Sequence, residues 1–202
     1  MRVISRPYGD RAVLLEPDDP AQLAGLRATL GAAPGVLEVV PAARTLLVSF
    51  DQARTSGAAI VEAARQAEHA PQELPEAALV ELPVRYDGAD LQDVAEEVGC
   101  SVPELIARHS SAEYTVDFCG FAPGFAYLSG LEPALHRPRL ATPRTQVPAG
   151  SVGIAGEYTG VYPRSSPGGW RLLGRTEAAL WDPSRTPPAL LAPGVRVRFR
   201  PL

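Results

Sequence analysis

Apolar and polar positions follow two different periods in the first 70 residues. Alternation with a period of two predicts strands over residues 2–5, 12–16, 36–40 and 45–50. Helical spacing predicts one helix from Asp19-Pro20 to Gly31 and a second from Ser56 to near His69, each with an N-capping residue in front. A sheet with two helices on one side follows, and this is a small ferredoxin-like α/β sandwich.

The middle of the chain begins with a polar stretch that contains two prolines, Pro71–Glu76, and this stretch is the predicted linker. A strand is expected over residues 78–86, and then two helices. The first opens with Asp90 and closes at Gly99, and Ser101 with Glu104 forms a capping box for the second. The acidic residues of 87–104 are therefore interpreted as helix N-terminal charge and solvated surface.

From Tyr114 onward the helical period disappears. Short β-prone pieces over residues 114–118, 151–155, 160–162, 170–173 and 196–199 alternate with Gly/Pro turns. This pattern is typical of a closed or nearly closed β-barrel. The fold class is therefore α+β, with predicted domains over residues 1–75 and 76–202.

The composition excludes several kinds of active site, because all 19 basic residues are arginine and the chain contains no lysine. A Walker A phosphate loop, a Schiff-base lysine and a Ser–Lys hydrolase are thereby excluded within this chain. The two cysteines and three histidines lack the spacing of metal ligands, so no metal site is expected. No signal peptide or membrane span is recognisable, and a soluble cytoplasmic protein is expected.

Charge is spread unevenly along the sequence. Residues 71–113 hold 2 arginines and 10 acidic residues, whereas residues 114–202 hold 10 arginines, 5 acidic residues and 11 of the 18 glycines. The arginines of this basic, Gly-rich part are interleaved with turns rather than lined along a helix. Anionic small molecules therefore suit it better than nucleic acid.

The segment from Cys119 to Arg175 carries the candidate chemistry. It contains the strings GFAPGFAYL (120–128), PRLATPR (138–144), VPAGSVGIAG (147–156), TGVYP (159–163) and SPGGWRLLGRT (166–176). Glycine-rich turns can wrap an anion with backbone N–H groups, and Arg139, Arg144 and Arg175 can add bidentate contacts. The alternative is that the glycines only turn barrel corners and the arginines lie at the rim.

These strings, together with GDRAVLLE (9–16) and PGVRVRF (193–199), resemble the allophanate hydrolase subunit 1 family over nearly the whole chain. That family includes the B subunit of 5-oxoprolinase and an inhibitor of a sporulation kinase. The resemblance implies an N-terminal α+β domain followed by a cyclophilin-like β-barrel. It also implies partners, homologues of the C and A subunits of 5-oxoprolinase, with which ATP drives the opening of 5-oxoproline to glutamate.

The resemblance and the turn chemistry together give the candidate site. His109 and Arg144 are the candidate catalytic residues, and the alternative for His109 is a helix C-terminal histidine that contacts free carbonyls. The candidate substrate- or anion-binding residues are Arg139, Ser151, Tyr162, Ser166, Gly168, Gly169 and Arg175. Because no nucleophile motif is present, the chain is expected to be inactive alone. Inhibition of a sensor histidine kinase and a role as a urea or allophanate carboxyltransferase-like subunit remain alternative functions.

Overall fold

The computed structural model describes residues 3–67 and 78–202. Contacts between residues group the chain into two compact units, Met1–Glu76 and Ala77–Leu202. The predicted linker Pro71–Glu76 and His69 lie outside the described residues. No helix within the described ranges is long and apolar enough to cross a membrane.

The first unit is a four-stranded antiparallel sheet with both helices packed on one face. Its elements are β1 (Val3–Pro7), β2 (Ala12–Pro17), α1 (Leu23–Gly31), β3 (Val36–Pro41), β4 (Leu46–Phe50) and α2 (Gly57–Gln66). The strand order is β1-β2-β4-β3. Leu15 and Val48 of the sheet and Leu30 and Ile60 of the helices belong to one buried cluster, so the sandwich has one core.

Both predicted capping residues of this unit act as caps, although Asp19 caps a 3₁₀ turn rather than α1 itself. Asp19 accepts a hydrogen bond from the Ala21 amide at 2.9 Å, and Ser56 accepts one from the Ala59 amide at 3.2 Å. The first turn after Asp19 is a 3₁₀ turn over Pro20–Gln22, and the α-helix begins only at Leu23.

The second unit holds the other elements. These are β5 (Leu79–Val84), α3 (Leu91–Val98), α4 (Val102–Ser111), β6 (Tyr114–Cys119), β7 (Ala126–Ser129), β8 (Arg144–Val147), β9 (Ser151–Ala155), β10 (Tyr158–Val161), β11 (Ser166–Gly168), β12 (Arg171–Arg175) and β13 (Arg196–Pro201). Seven strands form a sheet in the order β12-β9-β10-β7-β6-β13-β5, and β8 pairs with β11 in a separate ribbon. The β13–β5 pair is parallel and the other described pairs are antiparallel.

The seven-stranded sheet closes on itself where the segment after β5 runs along β12. Arg85 and Arg175 exchange two backbone hydrogen bonds of 2.9 Å. Farther along this seam, the amides of Gly88 and Asp90 donate to the carbonyls of Leu173 and Leu172 at 3.1 and 3.0 Å. The predicted α+β fold with a nearly closed barrel is confirmed.

The two faces of β9 and β10 carry different clusters. Val152 and Ile154 of β9 and Val161 of β10 belong to the large barrel core. The opposite face carries Gly153 and Gly160, and a Cβ atom built on either glycine would lie 3.2–3.3 Å from Trp170. A second cluster that includes Phe125, Val147, Tyr162, Trp170 and Leu172 fills this outer side, where the β8–β11 ribbon contributes Val147.

Sequence reasoning missed three strands, β7, β8 and β11. Each is only three or four residues long and lies within a Gly/Pro-rich string, where turn residues hide the period-two pattern. Two of the three form the ribbon over the outer face. The omission therefore concerns the part of the fold that carries the candidate site.

Candidate functional site

The outer face of the barrel brings several predicted site residues together around the Tyr162 hydroxyl. A Cβ atom on Gly168 would clash with this hydroxyl oxygen, so Tyr162 packs directly on the ribbon backbone. Burial raises the pKa of Tyr162, while the Trp170 backbone amide and the guanidinium groups of Arg139 and Arg144 act in the opposite direction. The charges of both arginines thus favour the ionised form of the Tyr162 hydroxyl.

The ribbon and the segment before it are linked through their backbones. Gly168 is paired with Arg144 across the ribbon, and the Leu140 amide donates to the Gly169 carbonyl at 2.7 Å. Ser166 lies opposite Val147, and its Oγ is buried and has no hydrogen-bond partner among the described residues. A buried hydroxyl without a partner is uncommon, and a bound polar ligand is one way to satisfy it.

Arg144 is held by an acidic residue that the sequence analysis placed at the surface. Its guanidinium donates to Asp90 Oδ1 at 2.6 Å and to the Trp170 carbonyl at 3.5 Å. Asp90 is only 4% exposed, and its Oδ2 accepts the Leu172 amide at 2.6 Å rather than an amide of its own helix. The interpretation of Asp90 as solvated helix N-terminal charge is therefore wrong, because its carboxylate pins the barrel seam.

Ser151 and Arg175 lie farther along the β9–β12 pair, where they are opposite each other. Ser151 is buried, and its carbonyl accepts the Tyr162 amide at 2.9 Å, which links it to the Tyr162 cluster through the backbone. The Arg175 side chain is 64% exposed and forms an ion pair with Asp87 at 2.9 Å. The Arg175 side chain is thus held by Asp87, which lies in the segment after β5.

His109 lies inside the barrel and is fully buried. Its Nδ1 is 2.8 Å from the Tyr86 hydroxyl, and its Nε2 is 3.0 Å from Thr159 Oγ1. Because the single Thr159 hydroxyl proton is donated to the Gly153 carbonyl at 3.0 Å, we assign the His109 proton to Nε2 and the role of donor to Tyr86. Burial lowers the pKa of His109 to about 3, so the ring is neutral.

His109 lies inside the barrel, whereas Arg144, the other candidate catalytic residue, begins strand β8 of the ribbon on the outer side. Thr159, its partner, is on the face of β10 that points into the barrel, whereas Tyr162 belongs to the outer cluster. Both ring nitrogens of His109 are engaged by side chains of other elements rather than by carbonyls at the end of α4. The backbone carbonyl of His109 in turn accepts the Tyr114 hydroxyl at 2.7 Å.

Phe121 is a feature of the site that the sequence indicated only in part. The Gly/Pro-rich, aromatic composition of residues 120–128 predicts an apolar surface there, yet Phe125 is 1% exposed and Phe121 is 59% exposed. The Phe121 backbone has φ of 67°, a left-handed conformation that costs a bulky residue about 1–2 kcal/mol. Its ring centroid lies 6.2 Å from that of Tyr162, so Phe121 forms an exposed apolar edge of the candidate site.

The packing of Tyr162 on Gly168 gives a direct test of this geometry. We expect Gly168→Ala to lower the free energy of unfolding by about 1–3 kcal/mol, because the new methyl group displaces the Tyr162 hydroxyl. Gly169→Ala is the matched control, since its Cβ would meet its nearest neighbours at 3.7 Å, an ordinary contact. Denaturant unfolding of both variants checks this, and equal stability of the two would contradict the packing described here.

The sequence matches the family described as carboxyltransferase domain, subdomain C and D, over residues 3–191, and the chain belongs to this family. It is similar to proteins named as the B subunit of 5-oxoprolinase. One, from Escherichia coli O157:H7, is 43% identical and aligns with 96% of this chain and 93% of its own length. Another, from Bacillus subtilis (strain 168), is 40% identical and aligns with 82% of this chain and 75% of its own length.

Solved structures agree with this assignment. The crystal structure of TTHA0988 superposes with a TM-score of 0.80 at 42% identity over 95% of this chain, which spans 40% of the length of that one. The conserved uncharacterized protein PH0987 from Pyrococcus horikoshii gives a TM-score of 0.61 at 36% identity over 98% of this chain and 97% of its own. Urea amidolyase of K. lactis, at 22% identity and a TM-score of 0.70, covers 99% of this chain and 15% of its own length and shares the fold.

Proposed function

We propose that this protein is the B subunit of an ATP-dependent 5-oxoprolinase, which opens 5-oxoproline to glutamate together with homologues of the A and C subunits. The observation that carries the proposal is the 43% identity to a protein named as that B subunit over almost the full length of both chains. A hydrolytic complex in the cytoplasm, with ATP as co-substrate, follows from this proposal.

The outer face of the barrel supports a role in holding anions. The ring carboxylate of 5-oxoproline and the phosphates of ATP both need donors that are fixed before binding. The Arg139 side chain is exposed and its charge lowers the pKa of Tyr162, and Ser166 Oγ is buried without a partner among the described residues. Phosphorylation of the lactam oxygen makes the lactam carbonyl carbon more electrophilic, so that water can attack it. Catalysis of phosphoryl transfer depends on positioning of the reacting groups and on stabilisation of their charge.

Arg144 has a different role in this proposal. Since its guanidinium is bound to the buried Asp90, its charge is largely compensated, and it supports the ribbon on which Gly168 and Gly169 lie. Arg139 is therefore the arginine that we propose contacts the anion. Phe121 at the edge of the same site is an apolar position that we propose is covered by another chain of the complex.

Reconstitution tests the function. The isolated chain is expected to hydrolyse no 5-oxoproline with ATP, because it has neither lysine nor a nucleophile motif. Addition of the A and C subunits from a relative is expected to give glutamate formation that requires all three chains. Turnover by the chain alone, or a complex that is equally active without it, would contradict the proposal.

The anion contact is tested in the same assay. We expect Arg139→Ala to weaken binding of 5-oxoproline or ATP by about 10- to 150-fold, since one charged hydrogen bond to a bound anion contributes about 1.5–3 kcal/mol. Arg200→Ala removes an exposed arginine of β13, outside the ribbon and its loops, and is the control. Unchanged affinity of the Arg139 variant for both ligands would remove this residue from the site.

A further inference from the structure

A second polar region lies on the outer side of the barrel, where β6, β7 and β10 are adjacent. The pairing of β6 with β7 shifts register between Val116 and Phe118, so β6 contains a bulge at Asp117. A bulge re-aims side chains. Here Asp117 accepts the Ser129 hydroxyl at 2.6 Å while Phe118 stacks on Tyr127, and Tyr127 and Ser129 share one face of β7. The bulge thus places a carboxylate and an aromatic ring side by side.

Three half-buried aromatic rings line this region. Phe118 and Tyr127 stack with centroids 4.3 Å apart and an interplanar angle of 15°. Tyr158 of β10 stands across both, with centroids 5.6 Å from Phe118 and 5.7 Å from Tyr127 and interplanar angles of 84° and 89°. With the exposed carboxylates of Asp117 and Glu157, these residues are called here the acidic-aromatic face.

The two carboxylates of this face lack a basic partner. Within residues 3–67 and 78–202, no arginine forms an ion pair with Asp117 or Glu157. Six other acidic residues of the same unit do pair with arginine: Glu81, Asp87, Asp90, Glu97, Glu113 and Glu132. Burial raises the pKa of Asp117, the hydrogen bond from Ser129 lowers it, and repulsion by the charge of Glu157 raises it. A cation placed between them would relieve this repulsion.

The face is also continuous with the candidate site. The Tyr127 ring lies 5.1 Å from Phe125 and 5.6 Å from Trp170, centroid to centroid. Phe125 in turn contacts Tyr162, with centroids 5.3 Å apart. The outer side of the barrel therefore has Tyr162 at one end and two carboxylates without an arginine partner at the other, joined by aromatic rings.

We infer that the acidic-aromatic face docks an arginine side chain of a partner protein in the complex proposed above. A guanidinium is planar, so it lies flat on an aromatic ring and at the same time donates to carboxylates at the ring edge. The inference rests on the proposed function for the existence of the partner, and it adds where that partner binds and by which chemistry.

The test compares two double variants that remove the same number of charges. Asp117→Asn/Glu157→Gln neutralises the face, and Ser129 can still donate to the amide oxygen of the substituted side chain, so the fold is expected to persist. Glu81→Gln/Glu113→Gln, the control, removes carboxylates that already pair with arginines. We expect the first variant to bind the A and C subunits at least 10-fold more weakly than the wild type and with a reduced dependence on salt, and the control to change affinity less than 3-fold. Equal affinities of both variants would overturn the inference.

A third variant separates the ring contact from charge alone. Phe118→Leu keeps apolar area but removes the aromatic face, and it is expected to weaken association at least 3-fold with thermal unfolding close to that of the wild type. Failure of the proposed function would look different. A complex that assembles with the expected salt dependence but forms no glutamate would contradict the function, whereas an active complex indifferent to all of these variants would contradict only the docking site.

Discussion

Arg144→Ala is expected to lower the free energy of unfolding by about 3 kcal/mol, because it leaves the buried Asp90 carboxylate without its counter-charge. Loss of one partner of a buried ion pair costs about 3–5 kcal/mol, and the lower end applies since the Arg144 side chain is 28% exposed. Denaturant unfolding of the full chain measures the change. Arg175→Ala, which breaks the exposed pair with Asp87, is the control and is expected to cost less than about 1 kcal/mol.

A second substitution shows whether the unpaired carboxylate causes this loss. Asn in place of Asp90 keeps an oxygen for the Leu172 amide but removes the charge. The double variant Arg144→Ala/Asp90→Asn is therefore expected to be more stable than Arg144→Ala alone. If the double variant is less stable than the wild type by the sum of the two single losses, the two residues do not act as a pair.

This result bears on how ligand binding by Arg144 variants is interpreted. From the sequence, removal of Arg144 is expected to leave folding nearly intact if the arginine is not part of an ion pair in the core. The structure places it in such a pair with a carboxylate that is only 5% exposed. A loss of ligand affinity in Arg144→Ala therefore has to be separated from displacement of the ribbon, and Arg139 gives the cleaner test.

Acid is expected to destabilise the protein through His109. Its pKa is about 3 in the folded chain and 6.5 when it is unperturbed. Above pH 6.5 the ring is neutral in both states and makes no contribution to pH dependence. Between pH 6.5 and 3 only the unfolded chain binds the proton, so the free energy of unfolding falls as pH falls, by up to about 1.4 kcal/mol per pH unit. At pH 5 the loss amounts to about 2 kcal/mol.

His109→Gln removes this proton-binding group, and its unfolding free energy is expected to depend less steeply on pH between about 6.5 and 4 than that of the wild type. Tyr86→Phe is the control, because it removes the hydrogen bond to Nδ1 but keeps the ring buried. It is expected to lower stability at all pH values and to retain the acid-dependent loss. Parallel pH profiles for wild type and His109→Gln would show that the folded state accepts the proton.

Local signals in the sequence predicted much of the fold. Ser56 and Ser101 both cap helices as expected, since capping depends on residues only three positions apart. Gly99 ends α3 with φ of 76°, a conformation that suits glycine. The barrel was also recognisable, because its short strands are separated by Gly and Pro.

Contacts between residues far apart in the chain could not be predicted from such local signals. Asp90 precedes a helix, and that position accounts for an acidic residue without any reference to Arg144 or Leu172, which are 54 and 82 residues away. His109 gave no sign of its burial, because its partners Tyr86 and Thr159 come from other elements. The packing of Tyr162 on Gly168 depends on the β8–β11 ribbon, whose strands are too short to be recognised by periodicity.

The two sides of the candidate site differ in how freely they can change in sequence. The floor consists of strands β9 and β10, where Gly153 and Gly160 leave no room for a larger side chain beneath Trp170. The same strands carry Val152, Thr159 and Val161 on the face toward the barrel interior, so a change in the floor also disturbs the core. The wall consists of residues 139–147 and 164–169, several of which are exposed. Divergence of ligand preference within the family is therefore expected to concentrate in the wall, while the floor is inherited unchanged.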